Sequence, residues 1–193
     1  MEKTFGSGVG TLGKNMTDQA CPIEWTPDLS VGVEVIDDDH KTFFVVAALM
    51  QSAIRENPQN LEAILRSSIT ILLEYVNGHF LREERAMEAA GYPKLAEHHA
   101  LHEDFKATVQ RLVEEFNKIA AFDEHKKAAQ KLAEVVNDWV CDHIAKVDMA
   151  YMDFVKAEHV DSRPLAFLSQ EADEGGDDDD FDLMSMIPED GPH

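Results

Sequence analysis

Seven side chains of this 193-residue chain have the types and the spacing that a pair of metal ions requires. Five are imidazoles and two are carboxylates, a set without thiolate that suits iron, manganese or zinc and disfavours a cysteine-rich structural zinc site. Two pairs within the set are four residues apart, which places both side chains on one face of a helix. The set consists of His40, His79, Glu83, His98, His102, His143 and Asp148.

Each of these residues has an ordinary explanation when it is taken alone. A single histidine on an apolar helix face is usually a core residue that is hydrogen-bonded to a neighbour, and Glu83 lies in a polar run that a solvated face would also produce. The joint case differs, because five buried imidazoles without partners would each cost roughly 1–3 kcal/mol. A metal centre that binds all of them removes this cost.

Four amphipathic segments position these residues, so the sequence predicts an all-α protein. Asp37–Asp39 offer N-caps to the first helix, and Gly91 offers a C-cap to the second. Long helices with short connections predict an up-down-up-down antiparallel four-helix bundle. The helices are expected at about 37–57, 60–89, 95–119 and 123–158.

The antiparallel order brings the candidate ligands to one depth in the bundle. His40 lies near the start of the first helix and His79 near the end of the second. His98 lies near the start of the third helix and His143 in the second half of the fourth. In alternating helices these positions share one end of the bundle, so the sequence predicts a single ligand layer.

Spacing alone leaves two positions open. His143 and Asp148 are five residues apart, about 140° around an ideal helix. Either they flank the centre from two sides or a local bulge brings them together. His99 offers i, i+3 spacing to His102 as an alternative to His98, although its phase in the apolar seam is poor.

The two ends of the chain differ in composition from its middle. Residues 1–20 are rich in Gly and Thr without periodicity and predict a flexible lead. Residues 21–160 predict the bundle domain, beginning with an extended arm over Val31–Ile36 that has no second strand to pair with. Residues 161–193 predict a disordered acidic tail, because EADEGGDDDD has too little apolar content to offset its ordering entropy. The apolar stretch Phe181–Ile187 predicts a possible protein partner for the tail, and a solvated solubility tail is the alternative.

The formal charge of −21 disfavours two classes of partner. Ten of the 38 acidic residues follow Gln170. The rest of the chain has 28 acidic residues and 17 Lys and Arg, so its formal charge is −11. Nucleic acids and anionic membranes require a basic footprint that this chain does not have.

Localisation and redox state follow from what the sequence does not contain. No apolar run approaches the roughly 18 residues of a membrane span, and the first residues have no apolar secretory segment, so we expect a cytoplasmic protein. Cys21 and Cys141 are far apart in sequence and make no disulfide framework, which fits a reducing compartment. Cys141 is expected to be a buried or bystander thiol rather than a ligand.

Several motifs together resemble the bacterial hemerythrins over about residues 21–157. These motifs are Trp25, Val31-Gly-Val, Ile36-Asp37 before His40, His79-Phe80-x-x-Glu83-Glu84, Met87, Gly91-Tyr92-Pro93, His98-x-x-x-His102 and His143-Ile144-x-x-x-Asp148. The resemblance implies a four-helix bundle with two non-haem iron ions that binds O2 reversibly and is not an enzyme.

The resemblance divides the imidazoles unequally between the two irons. It implies that His98, His102 and His143 hold one iron, which selects His98 over its neighbour. It implies that His40 and His79 hold the other iron and leave one coordination position open for O2.

The resemblance also implies how the irons are joined and enclosed. Glu83 and Asp148 would bridge them together with an oxo or hydroxo group from solvent. Plain core packing is an equal explanation for the residues that correspond to the apolar lining of the O2 pocket. These are Phe80, Trp139, Val140 and Ile144.

Three classes of function share such a site. The leading interpretation is storage, delivery or scavenging of O2 in the cytoplasm. A sensor that reports O2 or redox state through the acidic tail, and a diiron enzyme acting on peroxide or nitric oxide, are the alternatives. A ferritin-like centre is disfavoured, because it requires Glu-x-x-His on two helices and the relevant positions do not carry that motif.

Overall fold

The computed structural model describes residues 24–56, 60–119 and 122–175, and within these ranges it contains helices and no strand. The α-helices are α1 (Glu34–Glu56), α2 (Leu61–Ala89), α3 (Leu95–Asn117), α4 (Phe122–Trp139) and α5 (Leu165–Gly175). A π-helical segment, Val140–Val147, continues α4. The flexible lead predicted for residues 1–20 and the apolar stretch Phe181–Ile187 lie outside the described residues.

Helices α1 to α4 form the predicted antiparallel four-helix bundle. Helix α1 packs against α2 and α4, and α3 packs against the same two helices, so each helix has two neighbours in a closed ring. One main apolar core fills the ring with side chains from all four helices, among them Phe44, Leu72, Val109 and Leu132. Burial of each such side chain contributes roughly 1.5–3 kcal/mol. Within the described ranges, no helix combines the length and the apolar character that a membrane crossing requires.

A smaller apolar cluster closes the end of the bundle at which α1 begins and α2 ends. Its members are Val31, Val33, Ile36, Ala86, Met87, Tyr92, Tyr151 and Val155. The candidate ligands fall in sequence between this cluster and the main core. His40, for example, lies about one turn after Ile36 and one turn before Phe43. The ligand layer therefore has apolar side chains on both sides.

Helix α1 begins at Glu34, earlier than the predicted start at Asp37–Asp39. Asp37 lies in the first turn, where its carboxylate accepts hydrogen bonds from the backbone N–H of Val31 (2.9 Å) and the hydroxyl of Ser30 (2.6 Å). Acidic side chains in a first turn are favoured by the helix dipole. The extended arm predicted over Val31–Ile36 is therefore wrong in its second half, which is helical.

The expectation that residues 161–193 lack regular structure is wrong for α5. Leu165 and Leu168, three residues apart, are buried where α5 packs on α2. A Cβ atom at Gly78 of α2 would lie 2.6 Å from the backbone oxygen of Leu165, so only glycine allows this close approach. The acidic composition of this segment predicts disorder. In the structure, the surface of α2 buries two leucines of α5, and the segment is helical.

Candidate metal centre

The bundle brings all seven sequence-predicted residues into one buried layer. Helix α1 supplies His40, α2 supplies His79 and Glu83, and α3 supplies His98 and His102. The π-helical segment and the residue after it supply His143 and Asp148. Each of the seven is at most 4% exposed. The candidate ligands near the start of α1, the end of α2 and the start of α3 therefore meet those that follow α4 at one end of the bundle, as the sequence predicts.

Three imidazoles form the first group of candidate ligands. The Nε2 atoms of His98, His102 and His143 lie 3.0 to 3.3 Å from one another. Imidazole nitrogens bound at right angles to one metal, at the ~2.1 Å typical of metal–imidazole bonds, would also be about 3 Å apart. Glu83 Oε2 completes this group at 3.3 Å from the Nε2 of His102.

Two imidazoles and the same carboxylate form the second group. The Nε2 of His40 lies 3.6 Å from Glu83 Oε1, and the Nε2 of His79 lies 3.5 Å from Glu83 Oε2. Ligand atoms of this trio all lie within 4.8 Å of one another, as do those of the first group. Glu83 belongs to both groups, so its carboxylate stands between two metal positions.

Asp148 stands between the two groups in the same way. One of its oxygens lies 3.1 Å from the Nε2 of His143 and 3.5 Å from that of His98. Its other oxygen lies 3.4 Å from the Nε2 of His40. The two carboxylates thus have the positions expected of bridging ligands.

The π-helical segment resolves the awkward spacing of His143 and Asp148. A π-helix closes hydrogen bonds over five residues instead of four, which brings residues five apart towards the same face. The backbone N–H of Asp148 donates to the carbonyl of His143 in this manner. Of the two possibilities that spacing left open, the local bulge is the one present. The sequence predicts that the fourth helix continues to about Glu158. The α-helix ends at Trp139 instead, because the π-helical segment begins there.

Several ligand atoms are buried without a hydrogen-bond partner, which is the observation that tests whether a metal fits. Orphaned polar atoms of this kind are rare because each costs about 1–3 kcal/mol. Here they converge on one point from two helices and the segment that follows α4. Among the described residues they include His40 Nε2, Glu83 Oε2 and both carboxylate oxygens of Asp148. The donor set therefore fits metal ions, and imidazole with carboxylate fits iron.

Burial and mutual repulsion separate the two carboxyl groups in acidity. Burial acts to raise the pKa of Glu83, but the charge of His79 and the imidazoles of His102, His40 and His98 near the carboxylate outweigh it and hold that pKa well below its usual range. Burial, reinforced by the negative charge of Glu83, raises the pKa of Asp148 to about 7. Both carboxyl groups ionise together only at a cost that a cation between them would remove.

Burial, together with the positive charges of His98 and His79, lowers the pKa of His143 to about 3, although the negative charge of Glu83 acts in the opposite direction. This imidazole is therefore neutral at ordinary pH. A neutral imidazole carries the lone pair that a metal ligand needs.

Residues outside the ligand layer orient three of the candidate ligands by hydrogen bonds. His79 Nδ1 lies 3.2 Å from an oxygen of Asp39, and His102 Nδ1 lies 2.7 Å from an oxygen of Glu84. The hydroxyl of Tyr151 donates to Glu83. Partners of this kind set the tautomer of a ligating imidazole and are worth 10–100-fold in metal affinity. The sequence predicts none of these roles, and its one signal for them is an acid next to a ligand, as in Asp39-His40 and Glu83-Glu84.

Aromatic rings cover the three-histidine side of the layer. Phe80 stacks on His102 with a centroid distance of 3.7 Å, and Trp139 stacks on His143 at 3.9 Å. Val140 and Ile144 are each 2% exposed. Of the four residues that the resemblance associates with an O2 pocket, two therefore stack on candidate ligands and the other two are buried beside His143 in sequence.

Two other residues take positions outside the ligand layer. His99 has a side chain that is 53% exposed and lies 3.0 Å from Glu84, so the fold favours His98 over it. Cys141 takes part in a disulfide bond, which corrects the expectation of a reduced thiol and leaves no thiolate for a metal. Because disulfides are rare in reducing compartments, the cytoplasmic localisation stays a prediction.

Comparison with known proteins gives consistent results. The family model of the hemerythrin HHE cation binding domain matches residues 31–155. A bacteriohemerythrin of Stenotrophomonas maltophilia (strain R551-3) is 31% identical over 133 residues, which are 69% of this chain and 81% of the relative. A bacteriohemerythrin of Methylococcus capsulatus (strain Bath) is 31% identical over 129 residues, 66% of this chain and 92% of the relative. A hemerythrin of Phascolopsis gouldii is 30% identical over 130 residues, 67% of this chain and 90% of the relative.

Proposed function

This chain belongs to the family of hemerythrin HHE cation-binding domains, and from that premise we propose that it binds O2 reversibly at a non-haem diiron centre. His98, His102 and His143 hold one iron, and His40 and His79 hold the other. Glu83 and Asp148 would bridge the two, together with an oxygen species from solvent. The protein stores, delivers or scavenges O2 and is not an enzyme.

The observation that supports this proposal best is the unequal division of imidazoles around two shared carboxylates. Three Nε2 atoms converge on one side and two on the other, with Glu83 and Asp148 between them. The His40 and His79 side offers fewer protein ligands, and O2 is the further ligand that the family resemblance implies for it. Two iron ions bound here would supply the reversible two-electron chemistry that O2 binding requires.

The protein's own residues would make this exchange reversible. Five neutral imidazoles leave more positive charge on the pair than a carboxylate-rich cage would, which favours the ferrous state. The hydroxyl of Tyr151 holds its proton, because burial, with the charges of Glu83 and Asp148, raises its pKa well above the usual value. It therefore acts as a fixed hydrogen-bond donor that orients Glu83.

Exclusion of water is the second requirement for reversible binding. Water and protons at the site promote irreversible oxidation, so a dry, rigid lining is expected around the O2 position. Phe80, Trp139, Val140 and Ile144 would provide it. Phe80 supports this role, because its ring stacks on His102 and its centroid also lies 5.9 Å from that of His79, on the side proposed for O2.

An optical titration tests the proposal. The reduced, iron-loaded protein is exposed to O2 and then freed of it, and we expect a visible charge-transfer absorption that appears and disappears with O2. The variant His79→Ala should lose about one of two irons and the optical response, whereas His99→Ala, changed at an exposed histidine, should retain both. Bleaching that O2 removal does not reverse in the unmodified protein would contradict reversible binding and favour an enzyme.

A further inference from the structure

The side chain of Arg82 connects the metal layer to the chain that follows the bundle. Arg82 is 1% exposed and precedes the ligand Glu83 on α2. Its Nε donates to the backbone oxygen of Asp161 at 2.9 Å, and one of its terminal nitrogens donates to the backbone oxygen of Arg163. Its other terminal nitrogen donates to a carboxylate oxygen of Asp39. One guanidinium group thus joins α1, α2 and the segment that leads into α5.

The same oxygen of Asp39 faces a candidate iron ligand. It lies 3.2 Å from Nδ1 of His79, whose Nε2 points to Glu83. An imidazole that binds a metal through Nε2 carries its remaining proton on Nδ1 and donates it to such a partner. Asp39 therefore holds His79 by one hydrogen bond and is itself held by Arg82.

The position of Arg82 depends on the docking of residues 161–175. A buried guanidinium requires acceptors, and the backbone carbonyls of Asp161 and Arg163 supply two of the three described here. The segment is anchored by the buried Leu165 and Leu168, and Gly78 provides the close approach to Leu165. Gly78 directly precedes His79, so the docking site and the ligand share one turn of α2.

We propose that the C-terminal segment Asp161–Gly175 is a positioning element for the His79 side of the metal centre, acting through Arg82 and Asp39. When the segment is docked, Arg82 holds Asp39 against His79. When it is released, Arg82 loses two acceptors and leaves Asp39, and His79 loses its orienting partner. The inference rests on the proposed role of His79 as an iron ligand. The side affected is the one with fewer imidazoles, so its iron is the first to leave.

The coupling is reciprocal. If docking favours iron on the His79 side, then iron must favour docking by the same factor. Amide hydrogen exchange of Leu165–Gly175 in the full chain, measured without metal and with iron, tests this directly. We expect slower exchange with iron. Exchange that is identical in the two states would overturn the proposal.

Iron release gives a second test with a matched pair of variants. Leu168→Asp should release α5, because Leu168 is buried, whereas Phe167→Asp makes the same change at the neighbouring position, which is 58% exposed. In reduced protein under an inert atmosphere, a colourimetric chelator should remove one of two irons about tenfold faster or more from Leu168→Asp. The second iron, and both irons of Phe167→Asp, should leave at the unmodified rate. Uniform release from Leu168→Asp, in which exchange shows α5 undocked, would overturn the proposal.

Asp39→Asn distinguishes positioning from a merely structural role. It removes the carboxylate between Arg82 and His79, so iron should no longer slow exchange in α5. The double variant Asp39→Asn with Leu168→Asp should release iron no faster than the faster single variant, because both break one connection. Multiplicative effects would show two independent structural losses and contradict the proposal. These assays use no O2, so a failed optical titration would remove the proposed function and leave this coupling to be judged separately.

Discussion

The substitution Asp148→Asn should stabilise the metal-free protein, although it removes a candidate iron ligand. Burial and the charge of Glu83 raise the pKa of Asp148 to about 7, against an ordinary value of 3.8. Between these values the folded protein holds a proton that the unfolded chain has released, so stability falls as pH rises. Above pH 7 the penalty is complete and amounts to about 4 kcal/mol at about 1.4 kcal/mol for each pH unit. Asparagine has the same shape and no charge, and therefore avoids the penalty.

Urea unfolding of both metal-free proteins at pH 5 and pH 8 measures this effect. At pH 5 roughly 1.5–2 kcal/mol of the penalty is present, so the advantage of Asp148→Asn should grow by about 2–3 kcal/mol between the two conditions. Asp148 contributes to the raised pKa values of His79 and His98, so the variant also loses part of the stability that their protonation provides at pH 5. This loss makes the advantage of Asp148→Asn smaller at pH 5 and acts in the same direction as the predicted change. Asp142→Asn is a matched control, because that side chain is 71% exposed and pairs only with Lys146 among the described contacts.

Two results would refute this reasoning. One is an Asp148→Asn protein that is less stable than the unmodified chain at pH 8 without metal. The other is a stability difference that does not depend on pH. With iron loaded the sign should reverse, because Asp148 then balances metal charge and its loss removes a bridging ligand. A variant that is more stable without iron and retains iron less well would establish that the site is built for a cation.

Three further predictions follow from single contacts. Tyr151→Phe removes the donor to Glu83 and should weaken iron binding 10–100-fold in chelator competition, whereas Tyr92→Phe, whose ring packs against Tyr151 at 6.4 Å, should leave it unchanged. Gly78→Ala drives a Cβ into the Leu165 oxygen and should cost about 1–3 kcal/mol in thermal or urea unfolding, and a variant as stable as the unmodified chain would contradict the close approach. Phe80→Leu removes the stack on His102 and should accelerate irreversible oxidation of the iron-loaded protein by O2. The rate is measured as the loss over time of the visible absorption band that O2 produces. An unchanged rate would show that the ring does not exclude water.

The sequence carried most of the fold in its periodicity. Apolar spacing along four segments specified which faces meet, and local signals specified where some helices end. Gly91 directly follows the C-cap residue of α2, Ala90, and has a φ of 64°, a conformation that glycine adopts readily. The sequence does not predict helix α5, because its two buried leucines are too few to make a periodic apolar stripe. Their burial depends on a groove over Gly78 that exists only after α2 is placed.

The candidate site also has residues that the sequence selects and residues that only the structure places. Residue type and helical phase were sufficient to select His40, His79, Glu83 and His102, because i, i+4 pairs and bundle order are properties of an ideal helix. Spacing left His99 open as an alternative to His98, and the exposure of His99 in the structure favours His98. The position of Asp148 required the π-helical hydrogen bond to His143, which is a departure from ideal geometry that spacing cannot reveal.

What the sequence determined by itself was therefore the kind of chemistry: a histidine-rich pair of metal positions at one depth of a four-helix bundle. What only the tertiary structure decided was the support of that chemistry. Asp39, Glu84 and Arg82 are ordinary charged residues in the sequence, and they acquire roles because distant helices and the C-terminal segment bring them against ligands. Periodicity records which way a side chain faces along its own helix. It does not record which group on another element lies within hydrogen-bonding distance, since that depends on how the elements are packed.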